Sequence, residues 1–81
     1  LGFELPIDYL RFWLLGVPDP SAAFTLKRND QDRALQLIQG DWTIDYDRYL
    51  NVGGDLLPAH LVLSRAGVRV RIAVDHWDIL R

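Results

Sequence analysis

The hydrophobic period of this chain changes once, between Gly16 and Phe24. Before the change, apolar residues recur at helical spacing; beyond Pro20 they alternate one by one. Stripes of period 3.6 and period 2 can be buried together only against each other. The chain is therefore expected to form one helix packed on an antiparallel sheet, an α+β arrangement.

The helical segment spans Pro6 to Leu15 (PIDYLRFWLL). Helical spacing puts Ile7, Tyr9, Leu10, Trp13 and Leu14 on one arc that should face the sheet, with Asp8 and Arg11 opposite. Phe12 and Leu15 fall on the charged side, so the helix is expected to have a second apolar partner. Pro6 suits the first turn, where its missing N–H would be unpaired anyway. Gly16 supplies a left-handed stop, and Pro18 cannot continue the helix.

Five strands follow. Phe24 to Arg28 alternates, the Asn29-Asp30-Gln31-Asp32 cluster turns the chain, and Arg33 to Gln39 returns with Leu35 and Leu37 on one face. Gly40-Asp41 forms a two-residue turn into Trp42 to Tyr49, where Trp42, Ile44 and Tyr46 share a face. Leu50 to Leu57 reads as a loop, and Pro58 as the entrance of a strand from Ala59 to Arg65 that puts Leu61 and Leu63 together. Ala66-Gly67 turns the chain into Val68 to Trp77, with Val68, Val70, Ile72 and Val74 opposite Arg69, Arg71 and Asp75. Short connections make consecutive strands neighbours, so the sheet is a meander with one apolar face. Leu10, Trp13 and Leu14 of the helix should then face Leu26, Leu35, Leu37, Ile44, Tyr46, Leu61, Leu63, Val70, Ile72 and Val74 of the sheet. A ten-residue helix is about 15 Å long and five strands span roughly 20 Å, so the helix cannot cover that face completely.

Composition narrows the function. Cysteine is absent, which excludes disulfides, thiolate metal sites and cysteine nucleophiles. A net charge of −2 with both signs interspersed offers no footprint for nucleic acid. No apolar run approaches the ~18 residues of a membrane-spanning helix. The chain lacks methionine and opens at Leu1-Gly2-Phe3, so it is expected to be part of a longer protein, one partial domain with its helix at 6–15 and its sheet at 24–79. Uncovered strand edges at Phe24 to Arg28 or Val68 to Trp77 make the isolated chain an expected homo-oligomer.

Leu5-Pro6, Leu10-Arg11, Trp13, Gly16 and Pro18, then Trp42 and Tyr46, Leu57-Pro58, Val70-Arg71-Ile72, Asp75 and Trp77 together resemble the C-terminal half of the LolB family of Gram-negative outer-membrane lipoprotein receptors. The Leu-Arg-x-Trp-x-x-Gly-x-Pro spacing and the closing Asp-x-Trp are the more specific parts, and the resemblance covers essentially the whole chain. It implies half of an open β-barrel of the LolA/LolB type, in which the helix is a lid over a concave apolar surface. That surface would hold acyl chains of lipoproteins received from the periplasmic carrier LolA and passed to the outer membrane. The pocket residues so implied are the thirteen apolar positions named above on helix and sheet. The family's lipid-modified cysteine anchor, first strands and protruding hydrophobic loop lie upstream of what Leu1 to Arg81 contains.

Other features read more plainly. His60 and His76 lack a third ligand at metal spacing. Asp45 and Asp47, opposite Trp42, Ile44 and Tyr46, read as solvated carboxylates rather than an acid–base pair. An enzyme built on Asp45, Asp47, Asp75 and His76 would have no nucleophile with an adjacent base, so no catalysis and no cofactor are expected. Arg11 is the ambiguous charge, either solvent-facing or a gate at the pocket mouth. Trp77 is expected to plug the end of the sheet. The alternative to a receptor is a non-catalytic β-sheet interaction domain that binds no lipid.

Overall fold

The computed structural model describes residues 7–74. Helix α1 (Ile7–Trp13) precedes five strands: β1 (Phe24–Arg28), β2 (Ala34–Gln39), β3 (Trp42–Val52), β4 (Asp55–Arg65) and β5 (Val68–Ala73). The strands form one antiparallel sheet in the order β1-β2-β3-β4-β5, the meander that short connections require. Pro6, Asp75, His76 and Trp77 lie outside the described residues, as does the expected continuation of the last strand beyond Val74.

The helix ends where its sequence stops it. Gly16 adopts φ +81°. The Val17 N–H donates to the Phe12 carbonyl and the Gly16 N–H to the Trp13 carbonyl, the paired bonds of a Schellman cap. A Cβ on Gly16 would meet Pro58 Cγ at 3.3 Å, so the cap also lets the chain pass close over β4. Ile7 departs from the expected arc and is 66% exposed. The Tyr9 ring lies against Gly40, in the turn between β2 and β3, and Ile7, two residues earlier, is left outside the packed arc.

Two departures concern the strands. Leu50 to Leu57 is not a loop: Gly53 and Gly54, at φ 60° and 94°, close a two-residue turn of the kind that matches strand twist. β3 and β4 therefore run on to pair Val52 with Asp55. Pro58 consequently lies inside β4 rather than at its entrance, opposite Tyr49. The register shifts on both sides of Arg48, leaving Asp47 as an extra residue on β3 and Ala59 as one on β4 beside the proline, and such a bulge is where a strand tolerates a missing N–H. The other departure is Leu35. Lys27 pairs with Gln36 and Arg28 with Ala34, so Leu35 is the bulged residue of β2. The bulge turns Ala34 inward beside Leu37 and leaves Leu35 49% exposed.

Trp13, Ala34, Leu37, Trp42, Ile44, Tyr46, Leu61 and Leu63 form the buried core, with Tyr9, Leu10, Leu14, Leu26, Tyr49, Val68, Val70 and Ile72 packed around it. Helix and sheet thus bury their stripes against each other.

Candidate functional site

The candidate site is the apolar face under α1. Its floor is made of cross-strand neighbours: Leu26 opposes Leu37, Leu37 opposes Ile44, Ile44 opposes Leu63, and Leu63 opposes Val70. In the next row Tyr46 opposes Leu61, and Leu61 opposes Ile72. Directly opposed residues point to the same side of a sheet, so the floor is continuous across all five strands. The roof is Trp13, whose ring lies 6.5 Å from that of Trp42 and 5.4 Å from that of Tyr9.

Coverage is uneven. Leu37, Ile44, Leu61 and Leu63 have no exposed surface beneath Trp13, while Leu26 on β1 and Val68, Val70 and Ile72 on β5 are only half-buried. Leu10 and Leu14 flank the roof and are also half-buried. Val74 lies one residue past β5, half-buried, and donates its N–H to the Ala59 carbonyl at 2.8 Å. Of the thirteen expected positions, eleven belong to the core or pack against it; Leu35 leaves this face and lines an outer cleft of about 260 Å³ with Lys27, Gln36, Asp45 and Asp47.

Polar groups fasten the roof. The Trp13 indole Nε1–H donates to Gln39 Oε1 at 2.9 Å. Gln39 is 1% exposed and also binds the connection between α1 and β1. Its Oε1 accepts the Asp19 N–H at 3.0 Å, and its Nε2 donates to the Asp19 and Ala22 carbonyls at 2.7 and 3.1 Å. Both halves of the amide are satisfied, as a buried glutamine requires. The Tyr46 hydroxyl donates to the Trp13 carbonyl at 2.6 Å, and the Tyr49 hydroxyl to the Ala34 carbonyl. Burial pushes both phenols above the ordinary tyrosine range. The Asp19 carboxylate accepts the Ser21 N–H and hydroxyl at 2.9 and 2.7 Å, and those bonds hold its pKa below the ordinary carboxylate value.

Gln39 and Asp19 were not among the residues expected to matter. Gln39 carried a readable signal, because it continues the inward alternation of Leu37 with a polar side chain, and a buried amide needs partners. The Asp19 clasp has no comparable signal, since it depends on where the connection crosses β2.

Asp45 accepts from Gln36 Nε2 at 2.9 Å, and Asp47 lies 2.7 Å from His60 Nδ1. Arg69 and Arg71 are exposed on β5. Arg11 stacks its guanidinium over the Phe12 ring at 5.0 Å, and its charge adds to the lowering of the Asp19 pKa. Among the described residues, no group of three or more His, Asp or Glu side chains is placed to hold a metal ion.

The family model of the outer membrane lipoprotein LolB matches residues 1–77. This chain belongs to the LolB family. It is 40% identical over 78 residues to the outer-membrane lipoprotein LolB of Thiobacillus denitrificans, a match covering 96% of this chain and 40% of the relative. The Nitrosococcus oceani protein of the same name is 38% identical over 80 residues, covering 98% of this chain and 40% of the relative. That of Yersinia enterocolitica is 35% identical over 82 residues, covering 96% and 39%. The chain thus spans about two fifths of the length of these LolB relatives. Their shared name places them in the outer membrane, the compartment that the resemblance implied.

Proposed function

We propose that this chain forms the lid and part of the floor of an acyl-chain site in an outer-membrane lipoprotein receptor. The full-length protein accepts lipoproteins from a LolA-type periplasmic carrier and passes them to the outer membrane, where it is itself held by an anchor outside this chain. The supporting observation is the half-covered apolar face: a continuous floor roofed by one helix at its centre, with Leu26, Val68, Val70 and Ile72 incompletely covered at its edges.

Acyl chains have no polar handle, so a dry surface of suitable width suffices to hold them. Burying a CH₂ group contributes ~0.8 kcal/mol, and a sixteen-carbon chain therefore roughly 12 kcal/mol against water. A lipoprotein cannot cross an aqueous compartment with that surface bare. Hand-over to a membrane is downhill only if the receptor holds the chain less tightly than the bilayer does, and an incompletely roofed floor works in that direction. The role requires no catalytic residue, metal or cofactor.

Displacement of a fluorescent hydrophobic probe by palmitate from the full-length protein is the test. Palmitate is expected to displace the probe, and Val70→Asp or Ile72→Asp to abolish both displacement and lipoprotein acceptance, with thermal melting as the control for folding. Failure of palmitate to displace the probe from the folded wild-type protein would favour a sheet that docks other chains and binds no lipid.

A further inference from the structure

We infer that the Trp13 indole occupies the stretch of floor that an acyl chain would use, and that Gln39 is the positioning residue that holds it there; the inference rests on the acyl-binding reading above. Trp13, Leu37, Ile44, Leu61 and Leu63 all have 0% exposure. No ligand can touch the centre of the floor until the indole moves.

Two hydrogen bonds resist that movement: indole Nε1–H to Gln39 Oε1 at 2.9 Å, and Tyr46 hydroxyl to the Trp13 carbonyl at 2.6 Å. Gln39 does not depend on the indole for its own satisfaction. Its Nε2 keeps the Asp19 and Ala22 carbonyls, and its Oε1 keeps the Asp19 N–H. When the indole leaves, Gln39 keeps its other three hydrogen bonds, the Tyr46 hydroxyl gives up its acceptor, and the indole N–H and the freed carbonyl meet water. Gln39 stays in place to recapture the ring. At the start of the helix Ile7 adds no hold, since it is 66% exposed.

The exchange also eases release. As an acyl chain withdraws, the tryptophan follows it onto Leu37, Ile44, Leu61 and Leu63, so the floor passes from one apolar occupant to another without being wetted. Ligand and indole are competitors, and weakening the indole's hold must strengthen the ligand's.

That sign makes the inference testable in the full-length protein with palmitate as the probe. The Trp13 indole N–H, assigned by its loss in Trp13→Phe, is expected to be protected from hydrogen exchange in the free protein and to lose protection at saturating palmitate. Trp13→Phe removes one neutral hydrogen bond, worth about five-fold in an equilibrium, and is expected to bind palmitate about five-fold tighter while melting at a lower temperature. Tyr46→Phe keeps its ring in the floor and should shift affinity the same way, whereas a simple folding defect would weaken binding in both variants. Palmitate binding with the indole still protected, or variants that bind no tighter than wild type, would overturn the plug and leave the acyl site standing. No palmitate binding by the wild-type protein would overturn the acyl site, and the plug with it.

Discussion

The centre and the rim of the same apolar face are built from similar residues and end in different states. Leu61 on β4 and Ile72 on β5 are direct cross-strand partners, yet Leu61 has no exposed surface and Ile72 is half-covered. The difference is the position of the helix. Trp13 is tied to β2 by Gln39 and to β3 by Tyr46, and a seven-residue helix held there cannot also reach β5. Apolar sequence alone therefore does not distinguish packed core from available surface; the polar fastenings of the roof do.

Truncation across that pair should give the largest contrast. Leu61→Ala is expected to cost ~2–5 kcal/mol, since it removes fully buried methyl groups and leaves a cavity. Ile72→Ala should cost roughly 1 kcal/mol, because much of its side chain never left water. Urea denaturation of the two variants measures both, and equal losses would mean that the rim is as closed as the centre.

Gln39→Leu asks whether the roof sits where it does because of polar bonds. The change preserves apolar volume but strips partners from the Trp13 indole, the Asp19 N–H and the carbonyls of Asp19 and Ala22. A loss of about 2–3 kcal/mol is expected, mostly from groups left unsatisfied near the core. Hydrogen exchange of the α1 amides should rise more than that of β4 amides. A uniform rise would show that helix and sheet open as one unit.

Titration separates the two fastenings by pH. Asp19 has a lowered pKa in the fold, caused first by the Ser21 N–H and then by the Ser21 hydroxyl. Its stabilisation is thus fully present above the ordinary carboxylate value and is lost as pH falls through the folded one. Tyr46 and Tyr49 have raised values, caused first by burial. Their stabilisation is present below the ordinary tyrosine value and is lost as pH rises from there towards the folded values. Urea midpoints measured across pH should show both limbs. Asp19→Ala should flatten the acid limb and Tyr46→Phe the alkaline one.

Much of this was legible in the sequence, and the exceptions share a cause. The order of one helix and five strands, the Gly16 stop, and the inward placement of Trp13, Ile44, Tyr46, Leu61 and Leu63 all follow from local period and turn chemistry. Leu35, Pro58 and the Leu50–Leu57 stretch do not, because each depends on pairing between strands. A bulge changes the face of a residue without changing any local propensity, and a Gly-Gly pair reads equally as a loop or as a tight turn until the partner strand is known. Gln39 lay between these extremes: its inward position was readable, but its four hydrogen bonds depend on a helix and a connection 17 to 26 residues away in sequence.

Leu35→Lys is the smallest and sharpest check on that account. Simple alternation places Leu35 beside Leu37 on the core face, where an unpaired charge would be severely destabilising. The bulge opposite Lys27 and Arg28 instead puts it in the outer cleft with Asp45 and Asp47. Lysine there keeps its charge in water and within reach of carboxylates, and exposed pairs of that kind contribute little. The expected change in unfolding free energy is within about 0.5 kcal/mol, with palmitate displacement from the full-length protein unaltered. A loss approaching that of Leu61→Ala would mean that β2 pairs without the bulge, which would turn Ala34 out of the core and bring Leu35 into it.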